Sequence, residues 1–285
     1  MILQFIVSGA LVGFIVGATG VGGGSLMTPL LTLVFGIPAQ VAVGTDLLFA
    51  AITKSSGAFS YARRGAIPWA VVRWLAAGSL PAALLTMTAL QLWQPDSAAL
   101  GRLIRPALGF ALLLTTGALA FRTQIQALGA SFAARDAVAD LAPELAADLA
   151  LAGVGAAPAA ALSPGASPHP LRTLAVGALI GTLVTLTSVG AGAIGVVALF
   201  FLYPALPARQ LVGADIVHAV PLTLVAGLGH AALGTVNWTM LAGLLIGSLP
   251  AIHLGAALAG RLPERALRAM LGTMLLLVGG RLLWA

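Results

Sequence analysis

The sequence predicts an all-α integral membrane protein of two homologous halves, each a glycine-broken re-entrant helical hairpin followed by three transmembrane helices. Three observations lead there. Hydrophobic residues make up 60% of the chain and charged ones only 8%, too few to cover a water-facing surface. Apolar stretches of spanning length recur along it, and its second half repeats the first with polar residues in register.

A spanning helix needs roughly 20 apolar residues, and stretches of that kind lie near 41–60, 69–90, 103–121, 210–231, 238–258 and 265–284. Two more, near 2–36 and 173–203, are too long for one crossing and are interrupted by glycine. The first follows Met1 without a basic segment and runs into Gly20-Val21-Gly22-Gly23-Gly24 instead of a small-residue cleavage site, so it reads as a retained segment. Cysteine is absent, which excludes disulfides, thiol catalysis and thiolate metal sites. The net charge of +6 is a membrane feature: arginines between apolar stretches set orientation and meet lipid head groups, so no nucleic-acid partner is called for.

Sliding the chain on itself by 169 residues aligns Pro38-Ala39, Val43-Gly44, Asp46, Gly65, Trp69 and Gly78-Ser79-Leu80-Pro81-Ala82 with Pro207-Ala208, Val212-Gly213, Asp215, Gly234, Trp238 and Gly247-Ser248-Leu249-Pro250-Ala251. One residue of slippage aligns Thr19-Gly20-Val21-Gly22-Gly23-Gly24 with Thr187-Ser188-Val189-Gly190-Ala191-Gly192. Hydrophobic similarity alone does not reproduce Asp, Trp and Pro in register. The chain therefore divides into membrane repeat 1 (1–122), a linker (123–170) and membrane repeat 2 (171–285), the duplicated plan of secondary transporters. In the linker Asp136, Asp140, Glu144 and Asp148 recur every four residues before an Ala/Pro/Gly run, a solvated amphipathic helix and flexible tether, or a regulatory element.

Arginine placement bears on how the halves are oriented. If residues 2–36 cross once, one side receives Arg63, Arg64, Arg73, Arg122, Arg135, Arg172 and Arg281 and the other receives the remaining six arginines, with no bias. If the stretch is a hairpin, as would be its counterpart at 173–203, ten arginines share one side and only Arg102, Arg105 and Arg281 the other. Inverted halves are expected, with the linker in the cytoplasm and both termini outside.

Gly20, Gly22, Gly23, Gly24 and Ser25 stand where a chain inside the membrane breaks its helix, and Thr187, Ser188, Gly190 and Gly192 repeat the break. Glycine lets backbone N–H groups turn into a cavity toward which the following half-helix points its positive end, a combination that binds anions. Close helix packing is the other use of such glycines. No Lys follows in the P-loop position, so a nucleotide loop does not fit. Lys54, the one lysine in the chain, lies at membrane depth, where an ammonium faces an aqueous path or a partner, or snorkels toward the Arg63 end. Its counterpart in repeat 2 is Thr223, so the charge serves one half alone. Asp46 and Asp215 are the acids of the apolar stretches, as helix caps or proton carriers, and His218, one turn after Asp215, can share its proton. His230 and His253 read as interfacial or packing residues. No His-Glu-x-x-His, Gly-x-Ser-x-Gly or magnesium-binding acidic cluster appears, so neither an enzyme, a metal site nor a cofactor is expected.

The Gly20–Ser25 run with Pro29, the Ala42-Val43-Gly44-Thr45 entry to the next helix, the Gly65-x-x-x-Trp69 and Gly78–Pro81 elements and their echoes resemble the sulfite exporter TauE/SafE family, also called the 4-toluene sulfonate uptake permease family. The resemblance covers both membrane halves. It implies a multi-pass protein of the bacterial cytoplasmic (inner) membrane that moves a small sulfur-containing anion such as sulfite or a sulfonate. On the residues themselves, the expected partners are a small anionic substrate and the lipid bilayer. Gly20, Gly22, Gly23, Gly24, Ser25, Lys54, Thr187, Ser188, Gly190 and Gly192 are the candidate substrate residues; Asp46, Asp215 and His218 are the candidates for proton coupling. A passive anion channel is the nearest alternative, and an intramembrane enzyme with Asp46 and Asp215 as a dyad is the alternative from another class.

Overall fold

The computed structural model describes residues 2–19, 24–63, 67–93, 96–121, 124–125, 127–128, 131, 170–190, 192–258, 272–273, 275–277 and 279–282. Gly20, Gly22, Gly23, nearly all of the linker and much of the expected 265–284 helix lie outside them. The described elements are helices: α1 Ile2–Thr19, α2 Gly24–Leu33, α3 Ala39–Arg63, α4 Trp69–Trp93, α5 Ser97–Ala120, α6 Pro170–Thr187, α7 Ala193–Leu202, α8 Ala208–Ala232 and α9 Trp238–Leu258. Among the described residues, five segments are long and apolar enough to cross a membrane: Trp69–Trp93, Ala98–Ala118, Pro170–Thr187, Arg209–Ala232 and Trp238–Gly255. Side chains such as Leu85, Leu92 and Leu171 are 70–80% exposed, as expected where lipid is the solvent.

Local chemistry sets the helix starts. Pro38 and Pro207 cannot extend a helix backwards, and their carbonyls accept from Val41 and Ala42 (2.9 and 3.0 Å) and from Gln210 and Leu211 (2.8 and 3.3 Å). Asp96 caps α5 by accepting from the Ala99 N–H at 2.6 Å. Pro81 and Pro250, at equivalent positions inside α4 and α9, each remove one backbone donor in the same place in both halves.

Packing repeats between the halves. A Cβ on Gly9 or Gly13 of α1 would strike the backbone of Leu244 or Ser248 on α9, and one on Gly177 or Gly181 of α6 would strike that of Leu75 or Ser79 on α4. These are the same contacts displaced by one repeat. Each pair runs parallel, with small residues letting the backbones touch. The equivalent helices α3 and α8 pack against each other in opposite directions: Gly44 meets Thr235 and His230, Gly227 meets Leu48, and Gly57 meets Ile216. Each half thus lends its first helix to the other, around a central antiparallel α3–α8 pair.

Candidate functional site

The buried charged and imidazole side chains among the described residues, Asp46, Lys54, Asp215, His218 and His230, all lie on α3 or α8. Asp46 is fully buried in α3, seven residues beyond its start at Ala39. The reading of Asp46 as a cap is overturned, because Pro38 opens the helix and Asp46 turns inward. Thr28 Oγ1 of the short helix α2 donates to Asp46 Oδ2 at 2.5 Å, which joins α2 and α3 as an antiparallel hairpin. Ser188, in the break after α6, lies beside the same carboxylate without a bond of hydrogen-bonding geometry.

Asp215 holds the equivalent place in α8 and is handled differently. Pro207 is the N-cap of α8, with no side-chain cap bond, so Asp215 is no cap either. It is 1% exposed, and neither carboxylate oxygen has a hydrogen-bond partner among the described residues. Its Oδ1 lies directly on Gly195, in the first turn of α7, leaving no room for a Cβ. A half-helix start carries partial positive charge. The Lys54 side chain, 7% exposed, lies within electrostatic reach of Asp215, Asp46 and His218. Snorkelling does not describe Lys54, whose side chain is buried within the bundle. Thr223, at its equivalent position, turns its hydroxyl back to the Ala219 carbonyl at 2.8 Å.

His218 is fully buried, and its Nε2 pairs with Ser79 Oγ of α4 at 2.6 Å. Its Nδ1 has no partner among the described residues, nor do Asp46 Oδ1, Ser188 Oγ and Ser248 Oγ. Buried polar atoms of native proteins are normally satisfied. Asp46, Ser188, Asp215 and His218 thus each keep unused hydrogen-bonding capacity among the described residues.

The break after α6 has the conformation that its composition calls for. Thr187 closes α6 by donating to the Leu183 carbonyl at 2.6 Å and accepting from Val189 N–H at 3.1 Å. Ser188 follows at φ +58°, then Gly190 at +125° and Gly192 at +147°, angles that favour glycine. Gly192 is the N-cap of α7 with no side-chain cap, so the first N–H groups of α7 are left to backbone or ligand. In repeat 1, Gly24 and Ser25 open α2, and the preceding Gly20, Gly22 and Gly23 lie outside the described residues.

The structure therefore brings together Asp46, Lys54, Asp215, His218 and the break at 187–192. It adds Thr28, Ser79 and Gly195. Ser79 could have been found, since it stands in the repeated Gly-Ser-Leu-Pro-Ala element; Thr28 and Gly195 carry no sequence signal beyond their nearness to the breaks. His230 is buried for packing, with Nδ1 on Thr235 Oγ1 and Nε2 on the Thr185 carbonyl, both at 2.9 Å. His253 is exposed on α9.

The family model for the sulfite exporter TauE/SafE matches residues 5–282. The probable membrane transporter protein YjnA of Bacillus subtilis (strain 168) is 33% identical over 99% of this chain and 100% of its own length. A probable membrane transporter protein of Xylella fastidiosa (strain Temecula1 / ATCC 700964) is 27% identical over 97% of this chain and 93% of its own. No solved structure matches the chain. With its membrane-length helices and a family model running across both halves, this chain belongs to the sulfite exporter TauE/SafE family and is a multi-pass membrane transporter, not an enzyme.

Proposed function

We propose that the chain is a secondary transporter that carries a small anion, of the sulfite or sulfonate class, through the polar cluster between its halves, together with a proton taken up by Asp215. The observation that carries this reading is the seat of Asp215. Its carboxylate rests on the positive end of α7 under the influence of Lys54, the niche an incoming anion would use. Two unit negative charges about 4 Å apart repel by roughly 4 kcal/mol at an effective dielectric constant near 20. An anion and an ionised Asp215 therefore compete for Lys54. Protonation removes the competitor, so binding anion and binding proton favour each other, which is the thermodynamic requirement for coupling. Asp46, held by Thr28 and flanked by Ser188, and His218, held by Ser79, are the remaining proton-bearing groups on the path.

The halves 1–122 and 171–285 are proposed to be inverted, with 123–170 on the cytoplasmic side. Support comes from the opposed directions of the equivalent helices α3 and α8, since an axis along the membrane normal would leave equivalent spanning helices parallel. The ten-to-three arginine distribution agrees.

Purified protein in proteoliposomes tests the coupling. An inward proton gradient should drive radiolabelled sulfite, or a small sulfonate, above its equilibrium level, and a protonophore should abolish the accumulation. Flux that only dissipates the anion gradient, indifferent to pH, would assign the chain to the passive channels.

A further inference from the structure

A second polar feature lies away from the central cluster, where α3 begins beside α5. A cavity of about 290 Å³ is lined by Pro38, Gln40, Ala98, Gly101, Arg102 and Arg105. At ~30 Å³ per water molecule it has room for an oxyanion with part of its hydration shell. Arg102 and Arg105 stand three positions apart on one face of α5 and are both exposed. The positive end of α3 opens on the same space, and the Gln40 side chain reaches across it toward Gly101. No carboxylate lines the cavity among the described residues. The acid nearest in sequence, Asp96, is engaged with the Ala99 N–H as the cap of α5.

We propose that this basin is a binding site for a tetrahedral oxyanion group, a sulfonate, sulfate or phosphate, gripped by the Arg102 and Arg105 guanidiniums. Guanidinium suits such a group because its planar fork gives two parallel N–H donors to two oxygens, where an ammonium offers a point charge. Arg102 and Arg105 begin a spanning segment that starts at Ala98, so the basin lies near one membrane surface and can draw its oxyanion from water or from a lipid headgroup. Asp46 follows Gln40 by six residues, about 9 Å of helix rise, so the basin and the central cluster lie within two turns of each other along α3. The assignment stands on the arginines and the cavity alone and does not rest on the transport reading.

Calorimetric titration of the purified full-length protein in neutral detergent tests it, with sodium sulfate in one arm and short-chain phosphatidylglycerol in the other. Saturable binding is expected in at least one arm, unchanged between pH 5.5 and 8 because arginine keeps its charge throughout. Arg102→Gln or Arg105→Gln should weaken it roughly 5- to 20-fold, the double variant should abolish it, and Arg102→Lys with Arg105→Lys should keep part. Binding in the sulfate arm identifies a free anion as the occupant, and binding in the lipid arm alone identifies a headgroup phosphate. No saturable binding in either arm, or equal binding by a double glutamine variant that melts at the wild-type temperature, would overturn the proposal. Because central-site binding is pH-dependent on the coupling scheme and basin binding is not, failure of one is distinguishable from failure of the other.

Discussion

The carboxylate of Asp215 rests on Gly195 so closely that a methyl group at position 195 would overlap Oδ1. Gly195→Ala should therefore push Asp215 out of its niche at the start of α7. Overpacking of this kind costs typically about 1–3 kcal/mol, and the expected outcome is a lower melting temperature with anion uptake reduced at least ~10-fold. Combining it with Asp215→Ala removes the clash, so the double variant should melt close to Asp215→Ala alone. Wild-type melting and uptake in Gly195→Ala would mean that the niche has slack and does not hold the carboxylate.

The sign of the pH dependence follows from competition for Lys54. Protonated Asp215 is neutral and no longer opposes an anion, so wild-type anion affinity should rise as pH falls, by up to about tenfold per unit while one proton is coupled. Asp215→Asn mimics the protonated form. It should bind anion at pH 8 as tightly as the wild type does in acid, with a flat pH profile and without proton-driven accumulation. Binding titrations from pH 5.5 to 8 decide, and a flat wild-type profile would remove Asp215 from the coupling.

Ser79 and His218 tie α4 to α8 in the buried cluster. Ser79→Ala leaves the His218 nitrogen unsatisfied in an apolar setting, at a cost of about 1–3 kcal/mol. The equivalent of His218 in repeat 1 is Phe49, fully buried against apolar neighbours. Removing both polar partners, as in Ser79→Ala with His218→Phe, should regain part of the loss, because no orphaned polar atom remains. Thermal melting of the two single variants and the double variant forms a mutant cycle; strictly additive losses would show that the pair is not coupled.

Much of the architecture was legible because a duplicated sequence carries its own alignment. Asp46 and Asp215 in register, Pro81 with Pro250, and the two glycine breaks are the sequence signals of two like halves. The backbone approaches of α1 to α9 and α6 to α4 were not foreseen, although the paired spacings Gly9-x-x-x-Gly13 and Gly177-x-x-x-Gly181 are their sequence signal. What stayed hidden was asymmetric. Thr28 bonds Asp46, but position 197 in repeat 2 is Val, while position 195 is Gly where repeat 1 has Leu26. Repeat symmetry thus locates the two acids without telling which is hydrogen-bonded and which is bare. The helix-cap alternative failed for a local reason, since each proline starts its helix seven to eight residues ahead of the acid.

Orientation can be tested in a chain that has no cysteine of its own. Single cysteines at Gln94 and Ser163 should behave oppositely toward an impermeant thiol reagent on intact cells, with labelling at 94 and none at 163 until the cells are opened. The arginine distribution predicts this sidedness, and the opposed α3 and α8 agree with inverted halves without setting which side is cytoplasmic. Labelling at 163 but not at 94 would overturn the inverted arrangement.

Lys54 is the most demanding test, since it is the single lysine, is buried in α3, and has no charged counterpart in repeat 2. If it neutralises the bound anion, Lys54→Met should cost about 1.5–3 kcal/mol of binding, the worth of a charge-assisted hydrogen bond, or roughly 10- to 150-fold in affinity. Lys54→Arg should keep part of it, because charge survives while geometry changes. Lys54→Met also removes the cation that acts on Asp215, so the variant should melt lower than wild type, and adding Asp215→Asn should restore the melting temperature without restoring affinity. That separation of stability from binding distinguishes a ligand-binding lysine from a structural ion pair. If the double variant recovers both, the pair is structural; unchanged affinity for sulfite or a small sulfonate in a well-folded Lys54→Met protein would remove the residue from the site.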